Sequence, residues 1–180
     1  MSKSKLPAYN GGTASRTAYL GLFMALAIIF GYIESLIPVP VPVPGMKLGL
    51  TNLVIAAILY LYSWREAIVI SALRVVVLGF LFGNMFSIVY GLSGAVLSLI
   101  VMAVLKATDK FSVVGVSCGG GVAHNTAQVI AATVMVTGFP WKWYLPILMI
   151  AGLIAGLMIG IADALIIPRI SIRSVRETKT

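Results

Sequence analysis

Carboxylates are scarce in this chain. Five Asp and Glu residues stand against thirteen Lys and Arg, with one histidine and one cysteine in 180 residues. Each shortage excludes something. The single cysteine, Cys118, cannot form an intrachain disulfide, and its apolar setting beside Gly119, Gly120 and Gly121 suits a packed small residue better than a reactive thiol. One histidine with one cysteine leaves no zinc ligand set, so no metal site is expected. No Gly-x-x-x-x-Gly-Lys-Ser/Thr loop is present, so the chain does not itself hydrolyse ATP. No Asp-Asp-x-x-Asp cluster is present to gather metal ions, and no nucleophile stands beside a base. Catalytic residues and cofactors are therefore not expected.

What is present is apolar. Hydrophobic residues make up 60% of the chain, charged residues 10%, and mean hydropathy is +1.05. Soluble domains average about 45–50% and about 25%. The net charge of +8 would suit nucleic acid, but the basic residues stand at the ends of apolar runs. That placement suits anionic headgroups and topology, so the partner is a lipid bilayer and no nucleic acid is expected.

A helix needs about 20 apolar residues to cross about 30 Å of hydrocarbon. Six candidate spans occur, at roughly 17–37, 48–63, 66–83, 85–105, 112–137 and 144–168. The first follows a polar stretch without an A-x-A-like cleavage site, and reads as a retained helix and not as a signal peptide. Six spans put both termini on one side. Lys3, Lys5, Arg16, Arg65, Lys106, Lys110, Arg169, Arg173, Arg176 and Lys179 fall on that side; only Lys47 and Lys142 fall on the other. The positive-inside rule then makes both termini cytoplasmic. The expected fold is an all-α membrane protein of six transmembrane helices in the cell membrane of a prokaryote. Residues 1–15 form a polar N-terminus, 16–168 the membrane domain, and 169–180 a basic, disordered tail.

The outer loops are distinctive. The Pro38, Pro40, Pro42 and Pro44 alternation forbids helix and favours a stiff extended segment, either a lid or a plain connector. The loop around Phe139, Trp141, Trp143 and Tyr144 is aromatic, which suits an interfacial belt or stacking on a ligand.

Polar residues inside the spans must face protein, water or a ligand. Asn84, Ser87, Gly91, Gly94 and Ser98 recur at spacings of 3 and 4. His124 and Gln128 share a helix face, and Asn125 is offset from it by about 100°. These residues are candidates for recognising a polar heteroatom ligand or for hydrogen bonding between helices. Glu34 and Lys47 flank the proline loop, where they can pair, grip a ligand or snorkel. Arg74 lies mid-span and needs an acid, carbonyls, water or an anionic ligand, with Asp163 a possible partner. The substrate-binding set expected is Glu34, Lys47, Asn52, Asn84, Ser87, His124, Asn125, Gln128 and Trp141. Gly152, Gly156, Gly160 and Ala164 form a small-residue ridge for close helix contact, inside the bundle or with another subunit; Gly21 and Ala25 make a weaker one.

Four segments carry a resemblance: Pro44 to Leu53, Phe82-Gly83-Asn84, Tyr90 to Ala95, and Gly120 to Gln128. Across about residues 15–170 the chain resembles the Gx transporter family, which carries the label heptaprenyl diphosphate synthase component I. That family is similar to the substrate-binding S components of energy-coupling factor vitamin transporters. The resemblance implies an S-component-like bundle with an outward-facing micronutrient site capped by the loop after the first helix. It implies a transmembrane coupling subunit joined to two cytoplasmic ATPases, docked on small residues of the first helix, for which Gly21-x-x-x-Ala25 stands here. The family's association with flavin-dependent electron transfer and quinones makes a flavin the expected substrate, held by Asn84, Asn125 and Gln128 and stacked on Trp141 or Trp143. The alternative is a non-catalytic membrane subunit of isoprenoid or quinone biosynthesis.

Overall fold

Local chemistry starts and stops the helices. In a computed structural model, which describes residues 12–36 and 49–177 (side chains to 170), six helices follow one another: α1 Thr13–Leu36, α2 Leu50–Leu61, α3 Trp64–Phe82, α4 Met85–Ala107, α5 Val113–Met135 and α6 Trp141–Glu177. No strand occurs among the described residues. The chain is an all-α membrane protein. α1, α4 and residues Trp141–Ile170 of α6 are long and apolar enough to cross a membrane by length and composition.

Ser63 caps α3 by accepting from the Arg65 N–H, and Ser112 caps α5 by accepting from the Gly115 N–H at 3.2 Å. Asn84 and Ser87 form a reciprocal capping box on α4, each bond 2.9 Å. α2 is capped from a distance. Its preceding residue, Gly49, lies in the left-handed region at φ 79°, where L side chains are strained, and offers no side chain. The Glu34 carboxylate of α1 takes its place, accepting from the Leu50 N–H at 2.7 Å and the Thr51 hydroxyl at 2.9 Å. A cap of this kind stabilises a helix by about 0.5–2 kcal/mol.

The ends of the bundle are tied differently. At the end where α1 begins, Arg16 pairs with Glu66, which also accepts from Ser63, joining α1 to the α2–α3 turn. Lys106 Nζ donates to the Leu59 carbonyl at 2.5 Å and lies 4.8 Å from the Tyr60 ring centroid. At the opposite end, Glu34 holds α2, and Tyr32 meets Phe82 of α3 at 4.9 Å between centroids.

α5 packs most extensively against α6 and next against α4. The run Gly119-Gly120-Gly121 explains why. A Cβ on Gly119 would strike Leu105 of α4, and one on Gly120 would lie 2.5 Å from the Met102 side chain. A Cβ on Gly121 would collide with the Gly152 carbonyl of α6. Successive glycines point about 100° apart, so this run serves α4 and α6 together.

Three expectations change. The last helix does not stop near 168 but continues through Glu177, so most of the expected tail is helical. It tolerates Pro146 and Pro168, each removing one donor from the helical ladder. The Gly152, Gly156 and Gly160 ridge is buried against α5, so it is not an exposed docking surface. Arg74 does not meet Asp163; it donates to Asn52 Oδ1 at 3.1 Å. The proline loop and Lys47 lie outside the described residues.

Candidate functional site

One cavity of about 180 Å³ runs between the helices from the end where α1 stops and α2 begins, as far as Met102 and Ser117. All six helices contribute. Glu34 and Ser35 come from α1, Thr51 and Asn52 from α2, and Arg74 from α3. Ser87 and Ser98 come from α4, and Ser117, His124, Asn125 and Gln128 from α5. α6 presents Gly152, Ala155, Gly156 and Ile159. Glycines make up much of the remaining wall: Gly31, Gly79, Gly91, Gly120 and Gly121. Polar groups therefore reach the space across surfaces with little side-chain bulk, a lining that suits a flat polar molecule.

Several side chains are already engaged. Asn125 Nδ2 donates to the Leu148 carbonyl at 2.6 Å, fastening α5 to α6. The His124 ring lies against Gly94, where a Cβ would come within 2.8 Å of it. Others are buried with no hydrogen-bond partner: Arg74 Nε, Ser117 Oγ and Gln128 Oε1. Buried polar atoms are nearly always bonded, so orphan atoms gathered around one cavity mark where a ligand would supply the missing partners. Asp163 is also fully buried with both oxygens unpartnered, but it does not line this cavity.

Of the expected binding residues, the fold brings together Glu34, Asn52, Ser87, His124, Asn125 and Gln128. Asn84 is not among them. It is exposed, and its side chain is spent on the α4 cap. Trp141 is also elsewhere, 44% exposed on a shallow depression formed by residues 139–143, with Lys142 5.9 Å from its ring centroid. Trp143 is 78% exposed. Neither indole lines the cavity, and such exposed aromatics suit the membrane interface.

The expected set missed Thr51, Arg74, Ser98 and Ser117. A signal for Ser117 was available, since Ser117, Gly121, His124 and Gln128 follow spacings of 4, 3 and 4 along one face. Ser98 belongs to the α4 stripe. Among the described residues no group of three or more His, Cys, Asp or Glu could hold a metal ion.

A helical membrane bundle with a polar cavity between its helices is the class of protein that this geometry defines. The family model described as heptaprenyl diphosphate synthase component I matches residues 23–166, and the chain belongs to that family. No curated protein and no solved structure matches the chain.

Proposed function

We propose that this protein is the substrate-binding membrane subunit of an energy-coupling factor transporter in a prokaryotic cell membrane. It would capture a small micronutrient from outside and pass it inward through reorientation, driven by ATP hydrolysis in partner subunits. The cavity carries this reading. It begins at the end opposite the termini, is lined from every helix, and holds orphaned donors and acceptors where a ligand would sit. Binding needs such groups and no nucleophile, so the protein would perform no covalent chemistry.

The Glu34 clasp supports a gated site, because it ties the two helices that flank the proline loop. The exposed Gly21 and Ala25 of α1 would receive the transmembrane coupling subunit. A flavin is the first ligand to test. The cavity is smaller than the roughly 300–1,000 Å³ of drug-sized sites, so a flavin would require the helices to spread, whereas a single-ring molecule fits them as they stand.

The family description suggests a second reading, a non-catalytic membrane subunit of isoprenoid synthesis. Affinity purification of the full chain from its native membrane separates the two. Recovery of a membrane subunit with two ATPases is expected. Recovery of a soluble prenyl synthase instead would replace the transport reading with the second.

A further inference from the structure

We propose that the cavity is built for a small organic carboxylate, with Arg74 as the residue that receives its negative charge. The inference rests on the binding-subunit reading above and adds the substrate class.

Charge accounting around the cavity leads there. Arg74 and Glu34 are the cation and the anion among the described lining residues. Both oxygens of Glu34 are engaged at the start of α2, by the Leu50 N–H and the Thr51 hydroxyl. A helix start is itself the favourable place for a negative charge, so Glu34 is held there and acts on Arg74 only from a distance. No acid of the described residues lies within ion-pair distance of Arg74. Arg74 is only 6% exposed; its guanidinium donates to the neutral Asn52 amide and keeps its Nε without a hydrogen-bond partner.

A guanidinium stays charged under all physiological conditions, and its planar fork matches a carboxylate. Burying it inside a bilayer without an anion is costly. A neutral ligand would satisfy the Nε but add no charge beside a guanidinium that Glu34 reaches only from beyond ion-pair distance; a carboxylate does both. Ser117 Oγ and Gln128 Oε1, orphaned on the same cavity, would hold a second polar group of the ligand. The volume of about 180 Å³ and the glycine walls limit the remainder to roughly one flat ring.

An isosteric pair isolates the charge. The full chain, purified in detergent, is titrated with benzoate and with benzamide, and binding is followed by thermal unfolding. Benzoate should bind roughly ten-fold tighter or more. Arg74→Gln should abolish that preference, and Arg74→Lys should keep part of it. The unliganded Arg74→Gln protein should unfold at the same or a higher temperature, because an unpaired buried charge has been removed. Equal binding of the two probes, a preference that survives Arg74→Gln, no benzoate binding at millimolar concentration, or a lower unfolding temperature for the unliganded variant would each overturn the proposal. Mass spectrometry of any co-purified small molecule separates the two levels of failure. A neutral molecule at one per chain removes the carboxylate assignment and leaves the binding-subunit reading standing. A chain that binds no small molecule and recovers a prenyl synthase removes both.

Discussion

Two stripes of small residues look alike in this sequence and meet different fates. On α6, Gly152, Gly156 and Gly160 lie buried against α5, where a Cβ on Gly160 would come within 2.6 Å of the Val114 Cα. On α1, Gly21 and Ala25 are exposed, and a Cβ on Gly21 would meet nothing within 4 Å. In lipid, apolar side chains gain nothing by leaving the tails, so close backbone approach is what holds helices together. The α6 stripe is used for that inside the chain. The α1 stripe keeps the same capability without a partner among the described residues, beside exposed neighbours such as Leu22 and Ile29. A small-residue ridge thus signals close packing but does not say with what.

The sharpest way to break this contrast is substitution in the α6 seam. Gly160→Ala places a methyl against the α5 backbone, which cannot rotate away as a flexible side chain can. It should destabilise the protein by about 1–3 kcal/mol, and Gly160→Leu should prevent recovery of folded protein. Thermal unfolding in detergent measures both. A stable Gly160→Leu protein would show that α5 and α6 do not pack as described.

A smaller effect is expected at the α4 start. Asn84→Ala removes the capping box and should cost about 1 kcal/mol, with ligand binding unchanged because Asn84 is outside the cavity. Gln128→Ala reverses the pattern: it should weaken ligand binding while the fold persists. Parallel thermal-shift and binding titrations compare the two. Equal loss of binding in both variants would place Asn84 at the ligand after all.

The smallest change in stability belongs to α1. Gly21→Leu should move stability by no more than about 0.5 kcal/mol. Under the transport proposal it should nevertheless reduce recovery of the membrane coupling subunit and slow uptake, with ligand binding intact. Full co-purification and uptake in Gly21→Leu would take α1 out of the docking surface.

The comparison also explains which parts of the site were legible. His124, Asn125 and Gln128 were readable because a polar group in an apolar span has few places to go, and the helical period placed two of them on one face. Asn84 satisfied the same pattern and misled, because it stands at a helix start, where Asn more often serves as a cap. In the sequence Glu34 is only a charge at the membrane edge. Its bonds to Leu50 and Thr51 join residues 16 and 17 positions away, which no local pattern encodes. Arg74 was recognisable as a residue that must find a partner. That its described partner is a neutral amide, with Asp163 elsewhere, depends on which helices adjoin α3.

By itself, the sequence determined the solvent and the helices: apolar length demands spanning helices, and the uneven distribution of Lys and Arg sets the expected orientation. Those are one-dimensional properties, because hydropathy and end charge act on each segment separately. It also carried the family, through segments scattered over the chain. Only the tertiary structure decided which small-residue stripe closes on α5 and which stays open, which polar side chains share a cavity, and which are spent on caps. Those outcomes depend on contacts between helices far apart in the chain, where a glycine, an amide or a carboxylate takes its role from the surface it meets.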